Sequence, residues 1–362
     1  MTKKLWFQIG IGISLALIII RLFIEVKDIF SPLVVIGQTI FLPLLLGGVL
    51  FYLTKPALKF FESKKVPKWT SILAIFIVLG LIVWLFTAMI SPMITKQINA
   101  LAQDAPELMQ GFEDMVDFIV DQKKHLPLFV EQPIDNLTSR VNDMAQGFGT
   151  WMIGIIQSFL RGVFLLVLVP FFLLYLLKDH EKFAPFVASF FRGERKTWIR
   201  KTLVDIDITL RSYIQGQLIV SFAVGVMLLI GYLIIGLEYA LLLATFGLMM
   251  NVIPFIGPFI SVIPALIIGF IQEPEKAIYV AIIMLVAQQI ESNLISPNVM
   301  GKVLDIHPLT IITIILAAGN IAGFWGIILA VPTYAVIKVI MKNVYARGSE
   351  IKEAANATVE EE

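Results

Sequence analysis

The chain contains no cysteine, and its three histidines, His125, His180 and His307, are widely separated. Neither a disulfide framework nor a cysteine and histidine metal site is available, and the redox compartment stays open. Charge is also scarce, at 15% of 362 residues, and it nearly cancels to a net +1. That balance argues against nucleic acid as a partner, because such domains carry a strongly basic face. The G-x-x-x-x-G-K-[ST] phosphate loop is missing, so ATP does not drive the protein directly, and H-E-x-x-H is missing too. No G-x-S-x-G elbow occurs, and no histidine falls inside an apolar run where it could pair with an intramembrane serine. The expectation is a non-enzyme without metal or cofactor.

What the chain has instead is apolar length. Hydrophobic residues make up 58% and the mean hydropathy is +0.87, the composition of a polytopic membrane protein. Apolar runs suited to tilted spanning helices occupy residues 5–20, 32–53, 71–94, 162–177, 217–236 and 277–296. The first follows Lys3 and Lys4 but lacks a small-residue cleavage pattern, so it reads as an uncleaved span. Lysine and arginine mark cytoplasmic loops. They cluster at Lys3 and Lys4, at Lys55 to Lys68, at Lys178 to Lys201 and at Lys338 to Arg347, all on one side by this count of spans. Both termini are therefore expected in the cytoplasm. The opposite side receives the acidic residues 97–150, in which Ile98, Leu101, Ala105, Leu108, Phe112, Met115 and Ile119 form a three-four seam. Such a seam packs either on residues 118–141 of the same chain or on another subunit. On the cytoplasmic side, Phe183, Phe186, Val187, Phe190 and Phe191 run into a basic stretch that suits a helix in the headgroup region.

Two related stretches organise the carboxy-terminal half: Asn251-Val-Ile-Pro-Phe-Ile-Gly257 and Asn320-Ile-Ala-Gly-Phe-Trp-Gly326. Asparagine, phenylalanine and the closing glycine coincide, and Pro254 or Gly323 breaks the middle of each. The entering arms, residues 237–250 and 309–319, reach only about 16 to 21 Å, short of a hydrocarbon core of roughly 30 Å. The expectation is two oppositely oriented re-entrant helical hairpins, each preceded by one span, with free backbone groups at tips inside the membrane. The whole then reads as an all-α polytopic membrane protein of about six full transmembrane helices plus two re-entrant hairpins and an external helical segment. Its divisions fall at 1–96, 97–150, 151–212, 213–272, 273–345 and a polar, unstructured tail at 346–362.

Polar groups inside spans are costly and point to pathways or partners. Helical spacing puts Gln289, Asn293 and Ser296 on one face, with Gln288, Glu291 and Ser292 beside it. Glu291 is the carboxylate placed within a span, the candidate for a proton or cation site. Asn251 and Asn320 add side-chain amides to the open backbone of the tips, shaped by Pro254, Gly257, Gly323 and Gly326. Gln215 and Gln217, with Tyr213, open the first repeat.

These residues resemble the bacterial autoinducer-2 exporter family of permeases. The resemblance is densest from Tyr213 to Pro332 and rests on Gly216-Gln217, Ile253-Pro-Phe-Ile-Gly-Pro258, Gln289-Ile-Glu-Ser-Asn293, Met300-Gly-Lys302, His307-Pro308 and Ala330-Val-Pro332. The family often has tyrosine where Phe255 stands. The resemblance implies an oligomeric multi-span transporter of the bacterial inner membrane. Some members export the autoinducer-2 signal and others exchange sodium for protons. The expectation is a secondary transporter exporting a small polar solute such as an autoinducer-2-like molecule, with a sodium or lithium/proton antiporter and a non-transporting membrane scaffold as the alternatives. The expected partners are that solute, sodium ions or protons, the lipid bilayer and further copies of the chain.

Overall fold

The computed structural model describes residues 5–101, 103–104, 110–111, 165–300 and 306–360. Among these residues every regular element is helical. In chain order they are α1 (Leu5–Val26), α2 (Ser31–Ser63), α3 (Lys68–Leu101, with a π-turn at Phe86–Ile90), α4 (Leu165–Ser189) and α5 (Glu194–Ile234). Then follow α6 (Ala240–Met250), α7 (Ile256–Gln272), α8 (Pro274–Met300) and α9 (Pro308–Glu360). Among the described residues, five helical stretches are long and apolar enough by length and composition to cross a membrane, Val35–Ser63, Lys68–Leu101, Glu194–Ile234, Pro274–Met300 and Pro308–Gly348, the last of them interrupted at Ala322 and Gly323. Helices suit this setting because each peptide group finds its partner within its own segment. The expected first span falls in α1, and the described part of the fourth is the start of α4. The external residues 97–150 lie mostly outside the described residues, as do Ala105, Leu108, Phe112, Met115 and Ile119 of the seam and its proposed cover at 118–141.

Several boundaries differ from the sequence expectation. Residues 54–63, expected in a basic loop, continue α2, because Phe51 and Leu58 are buried against Ile72, Ile75, Leu173 and Leu177 of α3 and α4. The turn is left to Lys64–Pro67, with Lys65 at φ +61. The aromatic and basic stretch is not one surface helix either. Phe183 and Phe186 end α4, Gly193 turns the chain at φ +60, and the basic residues begin α5, which runs on into the expected span as 41 residues. The tail was expected to be unstructured, yet α9 continues to Glu360. Alanine and glutamate, strong helix formers, dominate that stretch.

Both repeat stretches reverse the chain. At the first, α6 ends at Met250, Phe255 takes φ +63, and α7 returns. At the second, α9 is interrupted by Ala322 (φ −131, ψ 18) and Gly323 (φ 57, ψ −140). Gly319 then lies against Ile327, and a Cβ on Gly326 would overlap the Ala318 carbonyl oxygen. Residues eight apart in a straight helix are separated by about 12 Å along the axis, so these contacts require a hairpin. Gly257 meets the Met250 carbonyl oxygen in the same way. The closing glycine of each repeat is where the returning backbone crosses the end of the entering arm, with no room for a side chain.

Three apolar clusters join these elements. The largest packs α5 (Val220, Val224, Leu228, Tyr232) on α6, α7 and α8 through Leu243, Ala265, Val280 and Met284. A second joins α2, α3 and α4. The third gathers Tyr213 of α5, Ile253 at the first tip, and Ile311, Ile315, Ala330 and Val331 from both arms of the second hairpin. The two hairpins thus share one cluster around α5. Ile98 and Leu101 of the external seam also pack against the largest cluster. Gln97 accepts a hydrogen bond from the Leu242 amide at 2.8 Å, and Tyr239 donates to Asp104. The described start of the seam therefore rests on the first hairpin of its own chain.

Candidate functional site at the first hairpin tip

One short run of α5, Tyr213-Ile-Gln-Gly-Gln217, touches four elements. Tyr213 enters the cluster shared by the hairpins. Gln215 donates to the Tyr52 carbonyl of α2. Gly216 lies against Met300 at the end of α8. Gln217 reaches the first hairpin, donating from Nε2 to the Asn251 carbonyl at 2.6 Å. A break in a helix leaves carbonyls without intrahelical donors, and Gln217 satisfies one of them from a neighbouring helix.

The surroundings of that bond are dry but not fully matched. Gln217 is 5% exposed and Asn251 2%. The Asn251 Nδ2 group and the Ser221 hydroxyl are buried with no hydrogen-bond partner among the described residues. Ser221 stands one helical turn beyond Gln217, on the same face of α5. Its signal in the sequence was weak, since a serine in an apolar helix usually bonds back to its own backbone. An unmet buried donor costs about 1–3 kcal/mol. Both unmet donors belong to residues next to the Gln217–Asn251 bond or on the same face of α5.

The remaining candidates are distributed unevenly. Pro254 and Gly257 shape the first tip, with Gly257 buried and Phe255 exposed. At the second tip Gly326 is buried, but Asn320 and Gly323 are exposed, and Asn320 bonds only back along its own helix to the Leu316 carbonyl at 3.3 Å. The two asparagines, equivalent in the repeat, are not equivalent in environment. On α8 a π-turn spans Glu291–Ile295, and such turns occur often at functional sites. Here the polar stripe divides. Gln289 and Asn293 are exposed and bonded to each other at 2.9 Å. Gln288 Nε2 and Glu291 Oε2 are buried without a well-formed hydrogen bond among the described residues, and the Gln288 amide is the polar group beside the Glu291 carboxylate. The π-turn also touches α5. Glu291 is therefore the inward-facing carboxylate of the stripe, close to the helix that carries Gln217.

A second polar centre escaped sequence reasoning. Lys55, expected in a loop, is 5% exposed and pairs with Asp207 of α5 at 2.8 Å, while the Tyr52 hydroxyl donates to the other Asp207 oxygen at 3.1 Å. His180 lies against the Phe51 ring, tilted by 56° with centroids 4.9 Å apart, past the apolar run of α4. Burial first, and then the Lys55 charge, hold its imidazole below the usual histidine range, with Lys68 adding to this and Glu181 and Asp207 opposing it. The unfolded chain thus binds its proton more readily than the folded one, so stability falls as pH drops through 6.5 and below. Thermal melting in detergent from pH 8 to pH 5 is expected to show this decline, and His180→Asn should flatten it. An unchanged slope in the variant would remove His180 as its source.

Comparison with known proteins agrees with a membrane-spanning transport protein. A family model described as AI-2E family transporter matches residues 11–346. YueF of Bacillus subtilis (strain 168), a candidate transport protein by name, is 34% identical over 342 residues, covering 92% of this chain and 91% of that protein. YrrI of the same organism, also named as a candidate transport protein, is 30% identical over 341 residues, covering 93% and 95%. PerM of Escherichia coli (strain K12), a candidate permease by name, is 25% identical over 312 residues, covering 83% and 86%. Matched from its first helix to the last turns of its second hairpin, the chain belongs to the AI-2E transporter family.

Proposed function

We propose that the protein is a secondary transporter that exports a small polar solute, with autoinducer-2-like molecules the first candidates, and that the first hairpin tip contributes to its pathway. The observation that carries this is the buried couple of Gln217 and Asn251, with a spare donor at Asn251 Nδ2. An N–H donor calls for an acceptor oxygen, which a hydroxyl or carbonyl of a solute supplies and a bare cation does not. In this reading both hairpins re-enter the membrane from opposite sides. The 11 residues of α6 give about 16 Å of helix, well short of a full crossing of roughly 30 Å. Alternating access then moves the hairpins against α5, at the cluster they share. We place both termini in the cytoplasm of a bacterial inner membrane by the distribution of lysine and arginine. We also read the protein as an oligomer.

Glu291 supports a second reading, a sodium or lithium/proton antiporter. Its buried carboxylate, with only the Gln288 amide beside it among the described residues, is the kind of group a proton or cation site uses. Proteoliposomes with a trapped pH dye, given sodium or lithium, separate the two. Cation-dependent proton flux that Glu291→Gln abolishes would establish the antiporter and displace solute export as the primary activity. Silence in well-incorporated protein, together with uptake of a labelled polyhydroxylated solute into inverted vesicles, is the outcome expected for export.

A further inference from the structure

Helices α3 and α4 both pack on α2 but meet each other only briefly, and a groove of about 420 Å³ opens between them. Its walls are Trp69, Ile72, Leu73 and Phe76 from α3 with Pro170, Phe171 and Leu174 from α4. From Trp69 to Phe76 it runs about 10 Å along the helix axis. Without a long side chain, Pro170 leaves the inner end wide.

The outer end has a different chemistry. Trp69 is 60% exposed there, and the Lys178 ammonium lies 5.4 Å from the centre of its ring. Tryptophan and lysine at the end of an apolar helix mark the level of the headgroups. Three lysines surround this mouth. Lys68 is matched by Glu181 at 3.8 Å and Lys182 by Asp179. Lys178 has no carboxylate within 4 Å among the described residues. An apolar channel closed on one side by protein, with an unmatched cation at its mouth, has the shape and charge of an acyl chain joined to an anionic headgroup.

We infer that the α3–α4 groove is a binding site for one anionic phospholipid, its acyl chain along Leu73, Phe76 and Phe171 and its phosphate beside Lys178. This site lies apart from the hairpins and does not depend on what they transport. Ordinary lipid contact coats an exposed helix without choosing a headgroup; here the concave wall fixes one chain and Lys178 selects its charge. A juxtamembrane lysine adds roughly fivefold to the affinity for an anionic lipid.

The test is native mass spectrometry of the full-length protein in mild detergent, titrated separately with phosphatidylglycerol and phosphatidylcholine. One phosphatidylglycerol should bind in preference to phosphatidylcholine. Lys178→Gln should lower its affinity about fivefold and erase the preference, while Lys178→Arg keeps it. Leu73 is exposed, so Leu73→Trp should leave the fold intact while filling the groove and removing the bound lipid of either kind. Equal retention of the two lipids by the wild type would overturn the inference. So would phosphatidylglycerol binding that survives Leu73→Trp, because the headgroup would then be held by the basic surface alone.

Discussion

Gly257→Ala is expected to cost most of the folded protein. The added methyl group would overlap the Met250 carbonyl oxygen and press on the Asn251 Cα, and both are backbone atoms. A crowded side chain can change rotamer, but a crowded carbonyl moves only if the hairpin opens. Overpacking against side chains costs about 1–3 kcal/mol, and a clash with backbone at a tip that also carries the Gln217 bond belongs at or above that range. Gly326→Ala should behave alike, because its methyl would meet the Ala318 carbonyl oxygen. The comparison is Gly80→Ala, where nothing lies within 4 Å and the helix interior favours alanine. Size-exclusion profiles of fluorescently tagged variants in detergent would show both hairpin variants aggregated or absent and the Gly80 variant unchanged. Normal, monodisperse Gly257→Ala protein would mean that the chain does not cross itself at the tip.

Gln217→Leu is expected to abolish transport while leaving a detectable folded population. It removes the donor to the Asn251 carbonyl, so the tip loses a hydrogen bond that ties it to α5 and a buried acceptor goes unmet, at about 1–3 kcal/mol. A loosened tip no longer presents the Asn251 amide at a fixed place, and a misplacement of about 1 Å can cost on the order of a hundredfold in a positioned step. Gln217→Glu should also fail, since a carboxylate accepts hydrogen bonds and would face a carbonyl. Asn251→Asp separates the two functional readings. It replaces the buried donor with an acceptor, which should end solute export but would spare or strengthen a cation site. Flux in proteoliposomes, normalised to monodisperse protein, is the measurement. Export that survives Gln217→Leu would remove the tip from the pathway.

The broken hairpins were legible in the sequence because they depend on local facts. Asparagine, a breaker and a closing glycine recur at the same spacing, and an arm of 11 residues is short whatever surrounds it. Glu291 was legible for the same reason, as a lone carboxylate in an apolar run. Ser221 was not, because serine alternates between bonding back to its own helix and facing a partner, and only the neighbouring hairpin decides. Lys55 was misplaced in a loop, since its loop reading came from charge while its burial comes from Asp207, 152 residues later.

By itself the sequence determined that this protein is an all-helical membrane protein with two chain reversals in its second half, since apolar length, helix breakers and the lysine pattern are properties of single segments. The tertiary structure decided which polar groups are inside. Asn251 and Asn320 occupy the same place in the repeat, yet one is buried against Gln217 and the other faces outward. Burial is set by the elements that pack around a residue, and α5 lies over the first tip while the second tip has no such cover among the described residues.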